Sequence, residues 1–233
     1  MRKTICIVAS TVLAVASVLG PPKVLAAPVL AVDFGRVTAT GPTPVQPGFS
    51  GMAGAPVEPL SSAPFGPYTV TVSGEGFFSA GFNAGNVDPS VAALYEDYYY
   101  HNSTTNGVGI TLSIAGVTPN TPYDVTLWSY DEDNIFSPTP TTWGPTGSTS
   151  GTSGVVVNFA APYPTDLSYN RTTIRVNSTT STLDIFGTTT AGSGGTRLNG
   201  FKLSRIPEPC TAALTTMGAL LLLGFQSVFR ARR

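Results

Sequence analysis

Cysteine is missing from the central 180 residues of the chain. Cys6 and Cys210 stand near the two ends, so no disulfide staples residues 27–206. Histidine is almost absent too, with His101 the single one. With no cysteine and one possible imidazole base in that region, nucleophilic catalysis has few means. No Gly-x-Ser-x-Gly elbow and no His-Glu-x-x-His zinc helix is present. Charge is scarce at 11% of residues and uneven in sign. Between Asp33 and Glu208, thirteen acidic residues face six basic ones, a net charge of −7. A surface of that sign repels phosphate and disfavours nucleic acid, so none is expected as a partner. Lysine and glutamate are few, while Gly, Pro, Ser, Thr and Asn abound, which favours turns and short strands over long helices.

What is present begins with the ends. Met1-Arg2-Lys3 is a basic start, Ile5–Leu19 is a run of small and apolar residues, and Val24-Leu25-Ala26-Ala27 supplies small residues for a peptidase. That order predicts a signal peptide over residues 1–26, cut after Ala26. The apolar run is short for a membrane anchor, which takes about 20 residues. The other end reads Pro207-Glu208-Pro209-Cys210, then 19 largely apolar residues over 211–229, then Arg230-Ala231-Arg232-Arg233. This predicts a C-terminal transmembrane helix with a cytoplasmic tip, because positive residues stay inside. The expected domains are therefore residues 1–26, 27–206 and 207–233.

Pro207, Glu208 and Pro209, followed by an apolar helix and a terminal arginine cluster, resemble the PEP-CTERM sorting domain. Cys210 stands where that family usually has Ser or Ala. The resemblance covers 207–233 and implies processing by exosortase, a membrane cysteine protease-transpeptidase. It makes exosortase an expected partner, as the N-terminal segment makes signal peptidase one. The inner membrane is then a transient anchor, and the cell surface or extracellular matrix the destination.

The middle reads as strands. Tyr68–Ser73, Gly109–Ile114 and Tyr123–Tyr130 alternate apolar and polar residues, and Val155/Val157/Phe159, Ile174/Val176, Leu183/Ile185 and Phe201/Leu203 each suggest one buried face. Period two is the mark of a sheet covered on one side. Turn-rich clusters at 116–122, 177–181 and 191–195 separate these runs. The expected fold class is all-β, an antiparallel, jelly-roll-like β-sandwich. One short helix is expected over Pro89–Tyr99, capped by Asp88 with Pro89 at its first position. Residues 41–67 and 137–154 are expected to be loops, the second carrying Trp143.

Asp33-Phe34-Gly35 with Val45–Phe49, Gly116–Tyr123 with Leu127–Asp131, and Arg197–Leu203 are similar to segments of galactose-binding-like jelly-roll domains, malectin-like ones included. The resemblance spans most of 31–204 and implies a fold more than a function.

Three kinds of chemistry are open to the middle domain. Trp128, Tyr130 and Trp143 flank an acidic segment, and exposed rings near acids stack on sugars. The same rings could instead fill a core, as Tyr95 and Tyr99 at helical spacing are expected to do. Asp131 and Asp133 could contribute oxygens to a Ca2+ ion, or form a solvated acidic turn. Glu96-Asp97 and Asp131-Glu132-Asp133 supply carboxylates of the type glycoside hydrolysis uses. The expectation is a non-catalytic protein of the envelope or matrix whose partner is a glycan or matrix polysaccharide. The alternatives are an exported glycan-active enzyme and a purely structural matrix protein.

Overall fold

The computed structural model describes residues 27–79, 87–102, 107–131, 140–157, 163–189 and 195–207. The signal segment 1–26, the tail from Glu208 onward with its expected membrane segment 211–229, Asp133 and Phe159 lie outside the described residues. No helix among the described residues is long and apolar enough to cross a membrane.

In chain order the elements are β1 (Ala27–Thr38), β2 (Gly41–Pro42), β3 (Ser50–Gly54), β4 (Leu60–Phe65), β5 (Tyr68–Ser73), β6 (Gly76–Ser79), α1 (Ala92–Glu96), β7 (Asp97–His101), β8 (Gly109–Ala115), β9 (Tyr123–Trp128), β10 (Pro140–Pro145), β11 (Thr149–Gly151), β12 (Gly154–Val157), β13 (Arg171–Ser178), β14 (Thr182–Thr189), β15 (Thr196–Leu198) and β16 (Gly200–Arg205). One sheet has the order β11-β13-β9-β16-β1-β2, with β3 also on β1. A second has the order β12-β10-β14-β8-β5-β4, and a small third sheet is β15-β7-β6. The β1–β3 pair is parallel; the other pairings among the described residues are antiparallel.

Alternation decides which side chains meet between the sheets. Val32 and Phe34 of β1, Val125 and Leu127 of β9, Ile174 and Val176 of β13, and Phe201 and Leu203 of β16 point inward from the first sheet. Val70 and Val72 of β5, Ile110, Leu112 and Ile114 of β8, and Leu183 and Ile185 of β14 face them from the second. The result is an all-β sandwich with one main core, as the period-two runs predict. Leu127 sits mid-strand, paired to Thr172 on one side and Phe201 on the other, and is fully buried. Leu127→Ala should cost about 2–5 kcal/mol in a denaturant melt, because little around it can close the cavity. An unchanged midpoint would refute the register of β9.

Four expectations need correction. The helix is α1 alone, Ala92–Glu96, not Pro89–Tyr99. Asp88 does not cap it: its Oδ1 accepts from the Ser90 backbone N–H at 2.8 Å and the Ser90 hydroxyl at 2.7 Å, closing a tight turn. The tyrosines that follow are strand formers, and Tyr99 and Tyr100 pair with β15 and β6. Residues 41–67 hold β2, β3 and β4, where Pro64 is tolerated because β4 is an edge strand. Residues 137–154 hold β10 and β11. In β12 the inward residue is Val156, while Val155 is 57% exposed, so the expected face was the wrong one.

Candidate functional site

The three rings expected to meet a sugar are enclosed. Trp143 lies in β10, not in a loop; it is 0% exposed and packs in the main core between the sheets. Its ring covers Gly187 of β14 so closely that a Cβ there would strike it. Trp128 ends β9 and is 1% exposed, turned to the opposite face of its sheet. There its indole N–H donates to the Leu167 carbonyl at 2.9 Å, and Phe49 meets it edge-on at 5.6 Å. Tyr130 joins that second cluster, edge-on to Tyr95 at 5.5 Å, and is also fully buried. The structure thus brings Trp128 and Tyr130 together but puts Trp143 in a different core. A stacking platform needs an exposed ring face, and none of the three has one.

Asp131 is likewise engaged. It is buried, and its Oδ2 accepts from the Arg197 Nε at 2.9 Å. Arg197 also donates from Nη2 to Asn102 Oδ1 at 3.0 Å, and its guanidinium lies 5.3 Å from the Tyr98 ring centre and 5.9 Å from that of Tyr100. Ser129 donates its hydroxyl to the Arg197 carbonyl at 2.6 Å. Arginine's planar fork suits this buried role, which ties the ends of β7, β9 and β15 together. A Ca2+ ion at Asp131 would have to displace that guanidinium. No group of three His, Cys, Asp or Glu side chains suited to a metal occurs among the described residues. Of the carboxylates weighed for glycan hydrolysis, Asp97 is buried at the start of β7 and Asp131 is held by Arg197.

Sequence reasoning missed a third acid. Asp33 sits in the middle of β1 on the face away from the main core, yet it is 2% exposed. The segment 43–46 lies against it. Thr43 clips that segment down: its hydroxyl accepts the Arg36 backbone N–H at 3.0 Å and donates to the Arg36 carbonyl at 3.3 Å. Gly35 makes room, since a Cβ there would stand 2.7 Å from Thr43 Oγ1. The Gln46 backbone N–H then donates to Asp33 Oδ2 at 2.7 Å, and the Gln46 side-chain amide donates to the Ser90 carbonyl at 2.8 Å. Asp33 Oδ1 and Gln46 Oε1 have no hydrogen-bond partner among the described residues. Burial pushes the Asp33 carboxyl up to about 7; the Gln46 N–H pulls the other way, and the negative charges of Asp97 and Glu96 add to the rise. The only sequence signal was a charged residue inside a strand, which does not reveal what covers it.

The two ends of the described fold are partners. Ala27 opens β1 opposite Arg205, the last residue of β16. The Ile206 N–H closes the structure by donating to the Pro122 carbonyl at 3.0 Å, and Pro207 follows. Residues Ala27–Ile206 form one compact unit. Compared with known proteins, the chain matches no family model, no curated protein and no solved structure.

Proposed function

We propose that this chain is an exported, surface-sorted, non-catalytic β-sandwich of a bacterial envelope or extracellular matrix. Signal peptidase releases it after Ala26, and an exosortase-type enzyme processes it at Pro207-Glu208-Pro209. The observation that carries the reading is that residues Ala27–Ile206 form one compact unit. The first residue of that unit, Ala27, directly follows the expected signal cut, and its last, Ile206, directly precedes the expected sorting motif. Neither cut removes a strand of that unit. Because β1 and β16 pair, both cuts also fall at the same end of the sandwich, so the domain can be complete before either is made. The opposite end of the sandwich carries the Trp128–Gly200 pair and the Arg197 cluster.

The chain path supports a jelly-roll-like topology. From β8 to β14 successive strands alternate between the second sheet and the first. Trp128, Tyr130 and Trp143 lend no support to a carbohydrate ligand, so the reading rests on sorting and display.

The test is made in cells of a bacterium that carries the sorting enzyme. Replacing Pro207, Glu208 and Pro209 together with alanine should leave an uncut chain in the membrane fraction. The unmodified protein should be recovered without residues 211–229 by intact-mass measurement. If the unmodified protein recovered from the surface still carries those residues, the sorting proposal is wrong.

A further inference from the structure

We propose that the free edge of β12 pairs with β12 of a second copy of this chain, antiparallel, so that two second sheets join into one. β12 stands at the end of its sheet, with β10 as its neighbour on the inner side. Among the described residues its backbone bonds run to β10, which leaves the outward row of N–H and C=O groups unpaired. Such a row is a template for another strand, and proteins guard it with charge, proline or brevity. The other edges of the two main sheets are guarded. β4 carries Pro64, which has no N–H to offer, and β2 is two residues long and ends in Pro42. β11 has three residues and ends in Gly151, and β3 holds two glycines among its five. β12 reads Gly154-Val155-Val156-Val157, three consecutive strand formers with no proline and no charge. Val156 turns inward and is buried, whereas Val155 is 57% exposed on the outer face, beside Thr142 of β10.

Charge decides the occupant. The segment from Asp33 to Glu208 carries a net charge of −7, so two copies repel wherever their acids face each other. No charged residue occurs from Asn134 to Thr165, the stretch that holds β10, β11 and β12. On the outer face Val155 pairs with Thr142, and Thr142 with Thr188, so the row that leads to the edge is uncharged as well. At this edge two copies meet without setting like charges opposite each other. Antiparallel pairing about a two-fold axis is also self-complementary. Each copy presents to the other the same donors and acceptors that it receives, and the two valine runs lie across the seam from one another. A four-residue edge makes few bonds and buries little surface, so the association is weak and depends on concentration. Nothing in this pairing requires that the chain be sorted or cut.

Sedimentation velocity of the purified full chain in detergent, from micromolar to millimolar concentration, tests this beside Val155→Lys and Val155→Glu. The unmodified chain should pass from monomer to dimer as concentration rises. Both substitutions change an exposed side chain, so both variants should melt like the unmodified chain. Each variant alone should dimerise about tenfold or more weakly, because like charges then meet across the seam. An equimolar mixture of the two should recover the dimer, which a mere loss of stability could not do. The β12 amides should also exchange with deuterium more slowly in the dimer than in the monomer. A chain that stays monomeric throughout overturns the proposal. So does a dimer that both variants leave unchanged, as one joined through residues 211–229 would be, and so does a mixture that recovers nothing.

Discussion

Trp143→Ala should destabilise the sandwich by about 3–5 kcal/mol, the range for removing a large aromatic side chain from a packed core. Trp143 is fully buried in β10, with β12 on one side and β14 on the other, and its ring lies over Gly187. Gly187 has no side chain to move into the vacated space, so collapse is limited and the cavity cost stays high. Trp143→Phe should cost much less. It keeps a ring over Gly187 and removes an indole N–H that is buried without a partner among the described residues, and losing an unsatisfied donor offsets part of the lost packing. Denaturant melts of the two variants beside the unmodified chain measure both effects. If Trp143→Ala melts like the unmodified chain, Trp143 is not a core residue and the pairing of β10 is wrong.

That residue also shows where the sequence could and could not be read. Strands with a plain apolar alternation were legible: β5, β8, β9, β13, β14 and β16 all bury the faces their spacing predicts. Strand β10 has the same alternation, with Thr141 and Trp143 inward, but threonine counts as polar and flanking Pro and Gly suggest a loop. Strand β3 was hidden for a similar reason. Gly51 and Ala53 carry almost no side chain, and their place is fixed by parallel pairing with distant β1. In β12 three consecutive valines carry no period, so either face was open and tertiary packing chose Val156. The tyrosines after α1 have both helical spacing and strand propensity, and pairing with β6 and β15 decided the matter. For the site the limit is sharper. Composition can place an aromatic or an acid in a segment, but burial depends on what crosses above it. Trp128 is covered by a cluster that includes Leu94, Tyr95 and Leu167, and Asp131 is met by Arg197, 66 positions away. Asp33 is met by Gln46 only because Thr43 holds the intervening segment down.

Asp33 should also make the sandwich lose stability as pH rises from about 4 to about 7. Its carboxyl is held well above the ordinary value of 3.8, at about 7, so the folded chain binds this proton more tightly than the unfolded chain does. The contribution is fully present below the unfolded value and disappears as pH climbs through the folded one. Between the two, the slope is about 1.4 kcal/mol per pH unit, so the whole effect is of order a few kcal/mol. Asp33→Asn keeps an acceptor for the Gln46 N–H but cannot ionise. It should therefore flatten the curve and be more stable than the unmodified chain above pH 8. Denaturant midpoints at pH 5 and pH 8.5 for both proteins measure this, and parallel pH dependence would show that Asp33 does not titrate in the fold. Asp97→Asn separates the causes. Burial is the larger influence on Asp33, and the charge of Asp97 is a smaller one of the same sign. Neutralising Asp97 should reduce the slope without removing it. If it abolished the slope, repulsion between the two carboxylates, and not the cover provided by residues 43–46, would be what holds Asp33 neutral.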